Sequence, residues 1–145
     1  MNLLAGYDAA IGEWVAERIP HIKDVRALGP FVAIGVQDSA GSIIAGCVFH
    51  NYIPAYGTCD ITFSAATPAW ARRGIIKQLL AVPFEQYGCH RVTFLVPADA
   101  ERTIRTMRML GATKEGAHVG AFGPKRNALS FRLLRRDYNR LFVRN

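Results

Sequence analysis

The sequence predicts an α/β fold of mixed α+β type: a central mixed, mostly antiparallel twisted sheet with helices on both faces, in a single domain over residues 1–145. Three observations predict it. Half of the 145 residues are hydrophobic, enough for one ordinary domain to bury a core without disulfide or metal staples. The first half reads as a helix followed by three strand-like runs in meander order. The second half reads as helix, strand, helix and a closing strand pair, so a βαβ unit joins that meander.

The elements follow in order. "YDAAIGEWVAERIP" reads as an amphipathic helix, capped by Asp8, with Ile11, Trp14 or Val15, and Ile19 on its apolar stripe and Pro20 as its stop. "FVAIGVQ" and "SIIAGCVFH" flank the turn signal "DSAG", which argues a hairpin whose second strand runs out into His50, Asn51 and Tyr52. "GTCDITFSAAT" alternates Cys59, Ile61 and Phe63 against Asp60, Thr62 and Ser64, so Asp60 falls on the face opposite Ile61. In "PAWARRGIIKQLLAVPF" the residues Ile75, Ile76, Leu79, Leu80 and Phe84 recur at helical spacing; this helix runs to about Tyr87, loosened at Pro83 and stopped by Gly88. "HRVTFLV" is a strand. Asp99 caps a further helix to about Leu110, with Ile104, Met107 and Leu110 inward and Gly111 at its end. "GAHVGAFGPKRNALSFRLLRR" closes the chain as two strands around Gly123 and Pro124.

Charge narrows the function classes. Residues 1–70 hold three Lys/Arg against six Asp/Glu and residues 71–145 hold fifteen against five, so the net charge of +7 resides in the second half. That half favours an anion, which charge alone leaves as nucleic acid, a phosphorylated cofactor or an acidic protein, with plain solubility as the bland reading. Arg72, Arg73 and Gly74 are the sharpest case. A helix N-terminus presents unpaired N–H groups and a positive dipole end, so arginines there are either solvated surface or a phosphate site. The βαβ crossover sets them at the carboxyl end of a parallel strand, where ligands of open α/β sheets bind. Arg102, Arg105 and Arg108 form a second basic row, read first as a solvated face and otherwise as a polyanion surface. DNA affinity no tighter than about micromolar at physiological salt is expected.

Cys47, Cys59 and Cys89 are odd in number, far apart and without a C-x-x-C, so neither a disulfide framework nor a zinc site is expected. The apolar runs are too short to span a membrane, and "MNLLAGYDAA" lacks the pattern of a signal peptide, so a cytoplasmic protein is expected.

"HNY" after the second strand, "CDITFSAATPAWARRG" into the helix, "PFEQYGCHRVTFLV" and "MRMLGATKEGA" occur in an order that resembles the GNAT superfamily of acetyl-CoA-dependent N-acetyltransferases, in particular the short members of phages and bacteria. The resemblance covers nearly the whole chain. It implies transfer of an acetyl group from acetyl-CoA to a primary amine on a small molecule, a protein N-terminus or a lysine, in a bacterial cytoplasm, with homodimer formation left open. The family's pyrophosphate loop, Gln/Arg-x-x-Gly-x-Gly/Ala, falls on Ala71, Arg72, Arg73, Gly74, Ile75 and Ile76, of which Gly74 matches in full and Arg72 and Arg73 add charge. The thioester arm corresponds to Ser64, Ala65 and Ala66, the 3′-phosphate contact to Arg102, and the general base to Asp60. His50, Asn51 and Tyr52 lie on the acceptor side. The family's helix-start Asn and its thiolate-protonating Tyr are replaced by Ala100 and Met107, a common aromatic by Ala112, and its usual first strand is not visible ahead of the hairpin. The last two bear on packing; Ala71, Ile76, Ala100 and Met107 favour the alternative, a catalytically impaired module of the same shape that binds nucleic acid or an acidic protein, while the retained order of strand, loop and helix with Gly74 and Asp60 favours the enzyme.

Overall fold

In a computed structural model, which describes residues 1–143, seven strands form one sheet in the order β1-β2-β3-β4-β5-β7-β6. The strands are β1 (Asn2–Leu4), β2 (Phe31–Gln37), β3 (Ile43–Ile53), β4 (Thr58–Ala65), β5 (Arg91–Pro97), β6 (Thr113–His118) and β7 (Ala128–Leu134). The helices are α1 (Asp8–Glu17), α2 (Arg73–Ala81), α3 (Glu101–Leu110) and the short α4 (Arg135–Tyr138). Every neighbouring pair is antiparallel except β4 and β5, which the α2 crossover makes parallel.

Four details depart from the sequence reading. A first strand exists: three residues at the chain start pair with the far end of β2, too few to leave a period in the sequence. Asp8 is the first residue of α1 rather than its cap, and its carboxylate accepts from the Ala33 N–H of β2 at 3.1 Å. Asp99 likewise does not cap α3, whose N-cap position is held by Ala100. The basic end of the chain turns into α4, because Asp137 accepts from the Leu134 N–H at 2.9 Å and closes the first turn.

Pro83 acts as expected and further than expected. Without its N–H the α pattern ends at Ala81, and the chain widens into a π turn over Val82–Gln86, closed by Tyr87 N–H to Val82 O at 3.0 Å. That turn swings Phe84 into the core, wholly buried and stacked on Tyr138 with ring centroids 5.0 Å apart.

Alternation along β3 and β4 sorts the core onto two faces. Cys47, Phe49 and Ile61 meet the buried stripe of α2, together with Met107 and Leu110 of α3. Ala33 and Val48 meet Ile11 and Val15 of α1 on the other. The sheet admits α1 closely because β3 carries Gly46 beneath it: a Cβ there would lie 2.6 Å from Val15 Cγ2. Gly46→Ala is therefore expected to destabilise the fold by about 1–3 kcal/mol, the range of core overpacking. Denaturant titration reads it, and an unchanged midpoint would mean that α1 lifts without cost.

Candidate functional site

Strand pairing creates the site. β4 and β5 pair over three rungs only, Thr58 with Arg91, Cys59 with Val92 and Asp60 with Thr93. Beyond Asp60 the two strands part, while β4 stays bonded to β3 as far as Ala65 and β5 to β7 as far as Pro97. Two facing strand edges are thus left without a strand partner, with backbone N–H and C=O groups free to meet an extended ligand. The opening holds about 750 Å³, within the range of small-molecule sites. Its walls are Ile61–Ala65 on one side and Leu95–Pro97 on the other.

Thr67, Pro68, Trp70 and Ala71 form one end of the opening and lead to the start of α2. The Thr67 hydroxyl accepts from Ala69 N–H at 3.3 Å and turns the chain there. The first helical bond of α2 runs from Ile76 N–H to Arg72 O at 2.9 Å, so the N–H groups of Arg73, Gly74 and Ile75 have no acceptor within the helix. Arg72, Arg73 and Gly74 are exposed, and Arg73 lies 5.2 Å over the Phe142 ring. A Cβ built on Gly74 would meet nothing within 4 Å, and its φ is not in the left-handed region. The fold itself therefore has no use for glycine at 74; the missing side chain leaves room beside three free amides. Ile75 and Ile76 turn the other way, buried in the core against the sheet. Only backbone, then, faces outward at the position where the family pattern has a small residue.

On the α1 face, a bulge in β3 between His50 and Ile53 puts Asn51 at φ 49°, the one non-glycine residue with positive φ among those described. From there its amide donates to Asp60 Oδ2 at 3.1 Å. Asp60 thus stands at the vertex where the strands part, on the face opposite Ile61, held by a donor. His50 is the cross-strand partner of Asp60 and shares a 2.8 Å hydrogen bond with Thr62 Oγ1. Burial lowers the His50 pKa against the opposing pull of Asp60. Tyr52 stacks on Tyr87 at 4.6 Å and donates to Tyr87 O at 3.0 Å, which ties the bulge to the turn after α2. Along β4 the lining of the opening begins at Ile61, so Asp60, His50, Asn51 and Tyr52 stand next to it and are not part of its wall.

Among the other candidates, Ser64 and Ala65 line the opening, and the Ser64 hydroxyl donates to Val15 O at 3.3 Å. Ala66 lies just beyond, its N–H bonded to Ile44 O at 2.9 Å. Helical spacing splits the basic row of α3: Arg102 and Arg105 line the opening together with Thr106 and Met109, and Arg108 does not. Met107 is fully buried core, and no tyrosine lines the opening among the described residues.

Some of the lining residues have no motif to mark them. Arg18, Ile19 and His21 follow α1, and Arg126 comes from the loop between β6 and β7, over a hundred positions later. The His21 ring stacks on Phe122 of that loop at 3.7 Å. Its pKa is lowered by burial and then by the Arg126 charge. Two histidines with lowered pKa are neutral near pH 7, and the unfolded chain binds more protons than the folded one below about pH 6.5. Stability is therefore expected to fall as pH drops from about 7 to about 5, with a shallower fall in His50→Gln, read from denaturation midpoints.

No protein-family model matches the chain, and no curated protein matches it in sequence. Solved structures match its fold. A chimera of the spermidine N-acetyltransferase SpeG from Vibrio cholerae and hSSAT superposes with a TM-score of 0.74 at 14% identity, over 97% of this chain and 99% of that one. Mutant forms of the spermidine/spermine N-acetyltransferase SpeG from Vibrio cholerae give 0.73 at 12% identity, over 96% and 97%. The structure of a probable acetyltransferase gives 0.62 at 19% identity, over 77% of this chain and 66% of that one.

Proposed function

We propose that this chain, whose fold is that of the GNAT acetyltransferases, transfers the acetyl group of acetyl-CoA to a primary amine. The observation that carries the proposal is the parting of β4 and β5 with Asp60 at its vertex and the open mouth of α2 at its end. When bound, acetyl-CoA supplies an acyl carbon whose leaving group departs as a thiolate with a pKa roughly that of free cysteine, so no protein acid is required. Met107 and Ala100 in place of the family's polar residues are compatible with that chemistry.

The residues fit such a ligand. Arg73, Gly74 and Ile75 offer their free N–H groups to the diphosphate, with the guanidinium groups of Arg72 and Arg73 beside them. Arg102 is the donor for the 3′-phosphate. The end of β4 at Ser64 and Ala65, which line the opening, holds the amide-bearing arm, with Ala66, whose N–H is taken by Ile44 O, just beyond it. α1 and α2 cover opposite faces of the sheet, so the acceptor amine arrives on the α1 face, where Asp60 stands. Asp60 takes the proton that the amine gives up, directly or through one water. Asn51 and His50 fix and screen that carboxylate.

Calorimetry tests the phosphate cradle. Arg72→Ala with Arg73→Ala is expected to weaken acetyl-CoA binding by about 2 kcal/mol, the scale of lost charge-assisted hydrogen bonds. An unchanged dissociation constant in the folded double variant would return the two arginines to ordinary surface charge.

A further inference from the structure

The charge around the opening is one-sided. Arg18, Arg102, Arg105 and Arg126 line it, and no Asp or Glu does among the described residues. Arg102 and Arg105 belong to α3, on the same face as the mouth of α2, on the side where the proposed 3′-phosphate takes Arg102. Arg18 and Arg126 remain, one just after α1 and the other on the loop between β6 and β7 that stacks on His21.

Neither of these two is fully used by the protein. Arg18 donates to Trp14 O at 2.9 Å, lies 3.7 Å over the Trp14 ring and is 3.8 Å from the exposed Glu17. Arg126 has one ion pair, a long 3.6 Å contact with the exposed Asp99. Its Nε is buried and finds no hydrogen-bond partner in the protein, and the same holds for His21 Nδ1. These are the two such side-chain atoms among the described residues, and both belong to residues that line the opening. The His21 and Phe122 stack keeps them together, because Phe122 N–H donates to Arg126 O at 3.1 Å within its own loop. Arg126 Nε itself is shut off from the opening, and the accessible part of the guanidinium, on a side chain that is 33% exposed, is what an anionic group can reach there.

We infer that the acceptor is an amine bearing an anionic group, a carboxylate or a phosphate, a few bonds from its nitrogen, and that Arg126 with Arg18 holds that group. The inference rests on the transferase reading above and deepens it. It sets this chain apart from the spermidine acetyltransferases that share its fold, since a polycation would meet two arginines only loosely paired with exposed carboxylates and, among the described residues, no carboxylate lining the opening.

The test follows thiol release from acetyl-CoA with alanine, O-phosphoethanolamine, propylamine and spermidine, alongside calorimetry with acetyl-CoA alone. The expected result is a KM roughly tenfold or more lower for at least one anionic amine than for propylamine. Arg126→Ala, in protein that still binds acetyl-CoA, should raise the anionic KM about tenfold relative to that for propylamine, and Arg126→Lys should recover part of it. The better of the two anionic amines distinguishes carboxylate from phosphate. Faster release with spermidine, or release with propylamine and none with either anionic amine, overturns the inference alone. Absence of acetyl-CoA binding overturns the transferase reading and the inference with it.

Discussion

Asp60→Asn is expected to lower turnover roughly a hundredfold or more near neutral pH while leaving acetyl-CoA affinity nearly intact, because it removes a base and little else. The substitution is nearly isosteric, and the Asn51 amide that donates to Oδ2 at 3.1 Å can donate to the new carbonyl oxygen instead. The bulge that holds Asn51 at positive φ should therefore survive. Measured across pH, the variant should lose the advantage the carboxylate confers where the amine is mostly protonated. Equal rates for the two proteins throughout that profile would leave Asp60 a structural partner of Asn51.

Phe84→Ala carries the largest expected effect on stability, about 3–5 kcal/mol, from lost burial and the cavity left against Tyr138. At this chain length that corresponds to a melting temperature lower by about 10–15 °C. Phe84 sits in the π turn created by Pro83, and the same region is tied to α4 by the Tyr138 hydroxyl, which donates to Glu85 at 2.5 Å, and by Arg135, which donates to Phe84 O and to Cys89 O. Loss of Phe84 should thus loosen the join between α2, the start of β5 and the chain end together. Phe84→Leu, which refills part of the space, should cost about 1–2 kcal/mol. A melting temperature unchanged by the alanine variant would contradict the packing described.

The contrast between these two residues indicates what the sequence can carry. Strand alternation placed Asp60 opposite Ile61, and helical spacing placed Ile75, Ile76, Leu79 and Leu80 inward, because both are local periods set by backbone geometry. Gly74 beside two arginines was visible for the same reason. Other features depend on contacts remote in sequence. β1 has three residues and no period of its own; it exists because the edge of β2 is free. Asp8 looked like a helix cap, yet its acceptor capacity goes to the Ala33 N–H of a strand that begins over twenty residues later. His21 and Arg126 meet through a stack with Phe122, and no local pattern connects positions so far apart. The basic row of α3 read as one stripe, while three-residue spacing drifts around a helix of 3.6 residues per turn, so Arg108 leaves the face that Arg102 and Arg105 share.

The central claim is that the parted strands and the α2 mouth form an acetyl-CoA site rather than a surface for nucleic acid, and a thermal-shift comparison of the intact protein with acetyl-CoA, CoA and a DNA oligonucleotide tests it most directly. A ligand bound by the native state alone at a hundredfold excess over its dissociation constant stabilises by about 2.7 kcal/mol. The melting temperature is expected to rise by several degrees with acetyl-CoA and with CoA, and to stay unchanged with DNA at physiological salt. A rise with DNA and none with acetyl-CoA would contradict the claim and make the basic half of the chain a nucleic-acid surface.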